Sequence, residues 1–152
     1  MAEKVTVDAI LDFAIEQEQR AADWYSDLAG KAKNVGMKDV FEQFAREERG
    51  HKAKLIDVKT GRAFLSSGDQ QIPDLKISDY VVGEEPSADI DYQGALILAM
   101  KKEKAAFRLY TDLASRTDNT ESKGILLGLA QEEAKHKLRF ELDYDENVLT
   151  EN

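Results

Sequence analysis

Glu48 and His51 stand three residues apart in the stretch AREERGH (Ala45 to His51), so on an α-helix both side chains leave one face about one turn apart. A carboxylate and an imidazole so placed can hold one metal ion. Alone the pair says little in a chain that is 34% charged, because a solvated helix face carries such pairs by chance. Its weight comes from a second copy. A shift of 85 residues without a gap lays Glu18 on Glu103, Tyr25 on Tyr110, Leu28 and Ala29 on Leu113 and Ala114, Glu48 on Glu133 and His51 on His136. AQEEAKH (Ala130 to His136) thereby repeats AREERGH.

The repeat is informative because it preserves carboxylates on an apolar face. Glu18 shares its predicted face with Leu11, Ala14, Ala21 and Tyr25, and Glu103 shares its own with Leu96, Ala99, Ala106 and Tyr110. A buried carboxylate without a partner costs several kcal/mol or stays protonated. Glu18, Glu48, Glu103 and Glu133 converging with His51 and His136 would be destabilising unless cations lie among them. Two divalent ions would neutralise the four carboxylates. Carboxylate oxygen with some imidazole suits iron or manganese, with zinc able to substitute. Spacing leaves open which carboxylate bridges the ions.

Neighbouring residues are read more plainly. Glu47 and Glu132, beside the ligand candidates, are expected in ion pairs on the helix flank. Tyr25 and Tyr110 lie two turns beyond Glu18 and Glu103 and have two readings: core aromatics with satisfied hydroxyls, or hydrogen-bond donors to ligand carboxylates. Trp24, Phe41 and Phe44 are read as core.

The elements that must position these groups are helices. Helix-forming residues are abundant, prolines number two in 152 residues, and hydrophobic residues make up 42%, so the chain is expected to be all-α and one domain, with almost no sheet. Apolar periodicity predicts a helix from about Val7 to Gly30, with turn chemistry at Gly30, Asn34 and Gly36, and a second helix running to about Lys59. From Thr60 to Ser87 the pattern is broken by Gly61, Ser66, Ser67, Gly68, Pro73, Gly83 and Pro86, as expected for a long crossover with room for a short helix. A third helix is expected from about Asp89 to Ser115, and a fourth from Thr120 or Glu121 to Asp143, capped by Thr120 or Asp118 and followed by a frayed tail. Helix pairs at about 7–59 and 89–143, joined by a crossover at about 60–88, make a four-helix bundle.

Composition excludes several functions. A formal charge of -9 argues against a nucleic-acid partner, and the absence of Cys removes disulfides, thiolate zinc sites and iron-sulfur clusters. The first twenty residues carry Glu3, Asp8, Asp12, Glu16 and Glu18, unlike a signal peptide, and the longest apolar run, Ala95 to Met100, is too short to span a bilayer. A soluble, cytoplasmic protein with no membrane partner is expected.

EQRAADWYSDLA with AREERGH, and EKAAFRLYTDLA with AQEEAKH, resemble the diiron domain of rubrerythrins, members of the ferritin-like superfamily, over nearly the whole chain. The resemblance implies a ferritin-like four-helix bundle, a diiron centre held by Glu18, Glu48, His51, Glu103, Glu133 and His136, nearby tyrosines at Tyr25 and Tyr110, and a homodimer. It also implies reduction of hydrogen peroxide or oxygen in oxidative-stress defence. Two departures stand out. Where rubrerythrins usually carry a further Glu, one turn after the third helix's ligand, this chain has Ala106, which leaves a ligand set closer to that of bacterioferritins. Without Cys there is no rubredoxin domain, so electrons are expected from a separate donor protein. The leading expectation is a diiron peroxidase; the alternatives are a ferritin-type iron-binding or storage protein without turnover, and a structural module holding zinc or no metal.

Overall fold

Thr6 begins the first helix by accepting a hydrogen bond from the Ala9 N–H on its side-chain oxygen (3.1 Å), while its own backbone stays extended. From this cap α1 runs over Val7–Lys31, and α2 follows over Val35–Gly61. The structure, a computed structural model, describes residues 5–32, 35–61, 71–72, 75–83 and 90–151. It divides into two compact units, Met1–Leu75 and Lys76–Asn152, each containing one helix pair.

In the first unit, Ile10, Leu11 and Ala14 of α1 are fully buried, as are Leu55 and Val58 of α2, with Phe41 nearly so. These residues recur at three- and four-residue spacings, which is why each helix buries one stripe. Polar contacts join the outer flanks: Lys52 donates to Gln19 (2.8 Å), Arg49 to Ser26 (3.1 Å) and Lys59 to Asp12 (2.5 Å). Such exposed pairs add little stability but favour one register. A two-residue antiparallel pair, β1 (Val5–Thr6) with β2 (Gln71–Ile72), joins the residues just before α1 to this later stretch of the unit.

The second unit has the same plan. A 3₁₀ turn, Ile77–Tyr80, precedes α3 (Tyr92–Ser115), and α4 (Thr120–Glu151) returns along it. Tyr80 donates to Asp112 (2.6 Å) and lies under the Arg108 guanidinium, 5.9 Å from the ring centroid, which pins the turn to α3. Burial, and then the Asp112 carboxylate, hold the Tyr80 phenol far above its ordinary pKa. Leu96, Ala99, Leu113, Leu126 and Phe140 form the fully buried centre. Both helices of this pair begin 85 residues after their counterparts, so the repeat extends to the backbone.

The structure corrects several boundaries. The third helix starts at Tyr92, capped by Asp91, whose carboxylate accepts the Gly94 N–H at 2.7 Å; the expected start, Asp89, lies outside the described residues. The fourth helix is capped by Asn119, not Thr120 or Asp118: the Asn119 side chain accepts from Ser122 N–H (2.9 Å) and its carbonyl from Lys123 N–H (2.9 Å). Its expected frayed tail is helical to Glu151, since no Gly or Pro after Gly128 stops it. Gly30 and Gly36 lie inside α1 and α2 rather than in a turn between them, and the expected turn residue Asn34, with Lys33, lies outside the described residues. The expected breakers Ser66, Ser67, Gly68, Pro73 and Pro86 lie outside them as well. Among the described residues no helix is long and apolar enough to cross a membrane.

One pair in the second unit departs from the repeat. Val7 and Val58 of the first unit are replaced by Tyr92 and Asp143. Burial raises both groups, Tyr92 to about 12 with help from the Asp143 charge, and Arg139, 3.3 Å from Asp143, opposes the rise in each.

Two predictions follow from these local interactions. Asp91→Ala and Thr6→Ala should each lower unfolding free energy by about 1 kcal/mol, read as a shift in urea midpoint at constant slope. The second concerns pH. The unfolded Tyr92 phenol loses its proton near 10.0 and the folded one only at about 12, so the stabilisation it gives is full below pH 10.0 and is lost as pH rises toward about 12. Urea midpoints measured through that window should fall, and should fall less in Tyr92→Phe.

Candidate metal centre

In the first unit α1 supplies Glu18 and α2 supplies Glu48 and His51, at 2%, 2% and 4% exposure. His51 turns Nδ1 toward both acids, 3.2 Å from Glu48 Oε1 and 3.7 Å from Glu18 Oε2. In the second unit α3 supplies Glu103 and α4 supplies Glu133 and His136, at 2%, 1% and 2% exposure. His136 places Nδ1 3.5 Å from Glu103 Oε1. All six sequence candidates are therefore buried, and each unit gathers its own three.

The helices do this without unusual local structure. A carboxylate placed seven residues after Leu11 or Leu96 must join the same inward stripe, and the Glu-x-x-His of the facing helix brings two donors to the same level. Packing of each pair then fixes three donors at a point.

In each unit the donor atoms of the two carboxylates and the imidazole lie within 4.8 Å of one another. Two ligands of one ion, each ~2.0–2.2 Å from it, stand at most about 4.4 Å apart, so a small inward movement of side chains would complete coordination. Charge agrees with geometry. Two carboxylates and a neutral imidazole carry -2, the complement of one divalent cation, and imidazole lone pairs at Nδ1 are suitable ligand atoms. Each triad fits a hard or borderline divalent ion.

The flanking residues also find their places. Both acids lie on partly exposed flanks: Glu132 makes the expected ion pair, with Lys135 at 3.5 Å, and Glu47 accepts from the neutral Gln43 amide at 3.1 Å. Tyr25 and Tyr110 are each 1% exposed. Ala21 and Ala106, expected on the core stripe beside Glu18 and Glu103, are only half-buried. Trp24, Phe41 and Phe44 are core residues, but the structure adds that their rings surround Tyr25. Their positions relative to Glu18 and Glu48 were the available sequence signal; periodicity registers such residues only as apolar.

The family model for rubrerythrin matches residues 9–80 and 94–149. Among solved structures, a Thermotoga maritima protein assigned to the ferritin-like diiron-carboxylate class superposes with a TM-score of 0.83 at 20% identity, covering 97% of this chain and 99% of that one. A hypothetical protein from Pyrococcus furiosus superposes with a TM-score of 0.70 at 26% identity, covering 92% of this chain and 89% of its own. No curated protein sequence matches significantly. These likenesses give the chain the ferritin-like four-helix fold, and the match of the family model over most of its length means that it belongs to the rubrerythrin family.

Proposed function

We propose that the two triads act together as one diiron-carboxylate centre that reduces hydrogen peroxide or oxygen, with electrons delivered by a separate protein to a homodimer of this chain. The observation that carries the reading is the duplicated triad: two carboxylates and a histidine, buried in each helix pair at matched positions, in a member of the rubrerythrin family. A pair of iron ions held there supplies two reducing equivalents and a Lewis-acid setting for O–O cleavage. Manganese or zinc would fit the same donors, and zinc would supply no electrons.

The chain's own groups account for the remainder. Glu18, Glu48, Glu103 and Glu133 offset the positive charge of the ions, and His51 and His136 complete the set through Nδ1, the nitrogen each turns toward its acids. Tyr25 and Tyr110 are the candidates to hydrogen-bond ligand carboxylates and fix their orientation. The apolar stripes above and below exclude bulk water, which strengthens each electrostatic contact within. Ala106 leaves the position one turn after Glu103 without a carboxylate, so charge compensation rests on four acids.

Stopped-flow oxidation of the diferrous protein tests the reading. Peroxide should oxidise it faster than oxygen, and turnover should require an added electron donor; equal rates with no turnover would point to iron binding alone. Ala106→Glu should add a fifth carboxylate and accelerate the peroxide reaction, and an unchanged rate would mean that the site does not use that position.

A further inference from the structure

The outer face of α4 departs from the repeat in a way the metal centre does not use. Leu127, Gln131, Ala134, Leu138 and Leu142 follow one another at spacings of four, three, four and four, so they form one stripe along the helix. All five are exposed, the three leucines at 42%, 55% and 57%. The repeat-equivalent residues of α2 are Glu42, Arg46, Arg49, Ala53 and Asp57, also exposed. Four of those five are charged, as suits a solvated face in a chain that is 34% charged. The α4 stripe carries no charge at all.

The other side of α4 is occupied by the core and the metal centre, through buried Leu126, Leu129, Glu133, His136 and Phe140. The stripe serves neither. Gly124 and Gly128 lie beside it, and a Cβ at either would meet nothing within 4 Å, so a facing backbone can come close.

Two features select a second copy of this chain as the occupant. The formal charge of -9 makes copies repel, and repulsion is least where neither presents an acid. The stripe is also complementary to itself when reversed. A twofold axis at Ala134 brings to one level residues equally far before and after it in sequence. Leu127 of one copy then falls between Leu138 and Leu142 of the other, and Lys123 stands level with Asp145, its opposite in charge and likewise exposed.

We propose that the α4 stripe from Lys123 to Asp145 is the face through which two copies pair, antiparallel, about a twofold axis at Ala134. It is about six turns long. The leucines supply the apolar centre of the contact, and a Lys123–Asp145 pair at each end fixes the register. This gives the homodimer of the reading above its surface, and rests on that reading.

Sedimentation equilibrium of the full chain tests the face. The native chain should be a dimer. Leu138→Glu should weaken dimerisation on the order of a hundredfold or more, since each copy then buries an uncompensated carboxylate, while helical circular dichroism is kept because the position is exposed. Ala53→Glu, the same change at the matched position of α2, should leave the dimer intact. Lys123→Glu should weaken it roughly tenfold by setting two acids level at each end, and adding Asp145→Lys should restore it. A native chain that sediments as a monomer overturns both the face and the homodimer and leaves the stripe to a different protein. A dimer indifferent to Leu138→Glu, or a charge swap that restores nothing, overturns the face while the homodimer stands. Iron uptake decides the diiron centre separately, because none of these exposed positions is a ligand candidate.

Discussion

Two carboxylates and an imidazole lie buried at one point of each helix pair, and the rest of the structure is arranged around that constraint. Leaving a carboxylate charged and uncompensated in such a place costs several kcal/mol, and a domain of this size is stable by only about 5–15 kcal/mol in total. Two such acids per pair are therefore comparable with the whole margin of stability. Either protons or cations must offset them. Protonation would leave a histidine among neutral acids with no evident use, whereas a divalent ion matches both the charge and the donor types.

The repeat makes the departures between the two halves informative. Where the sequence holds to an 85-residue offset, helix starts coincide and the six buried donors fall at matched positions. Where it departs, side-chain chemistry changes on a conserved frame. Val7 and Val58 give way to the buried polar pair Tyr92 and Asp143, and the aromatic ring of Trp24, Phe41 and Phe44 gives way to leucines. The first exchange places an alkaline sensitivity in one half of the molecule. The second changes the kind of packing at three matched buried positions.

The helices and the six buried donors were legible in the sequence because both arise from one short-range rule: side chains three, four and seven residues apart share a face. Glu18 and Glu103 stood out because that rule placed acids where apolar residues belong. Boundaries were less legible, since a cap depends on which of several neighbouring polar side chains reaches the free N–H groups; Asn119 does so where Thr120 and Asp118 were candidates. The β1–β2 pair joins residues far apart in sequence, and two residues per strand are too few for an alternating pattern. The packing around Tyr25 was hidden for a different reason, because hydrophobic periodicity treats phenylalanine and leucine alike.

The central claim, that these buried acids exist to hold two cations per chain, is tested most directly by anaerobic titration of the metal-free full chain with ferrous ion, following bound metal and melting temperature together. The account predicts saturation at about two ions per chain with a rise in melting temperature, since a ligand at 100 times its Kd stabilises the folded state by about 2.7 kcal/mol. It also predicts that Glu48→Gln or Glu133→Gln weakens uptake while leaving the metal-free protein at least as stable as the parent, because a buried charge has been removed. A metal-free chain that neither binds ferrous ion nor gains stability from it, and that is destabilised by those substitutions, would contradict the account.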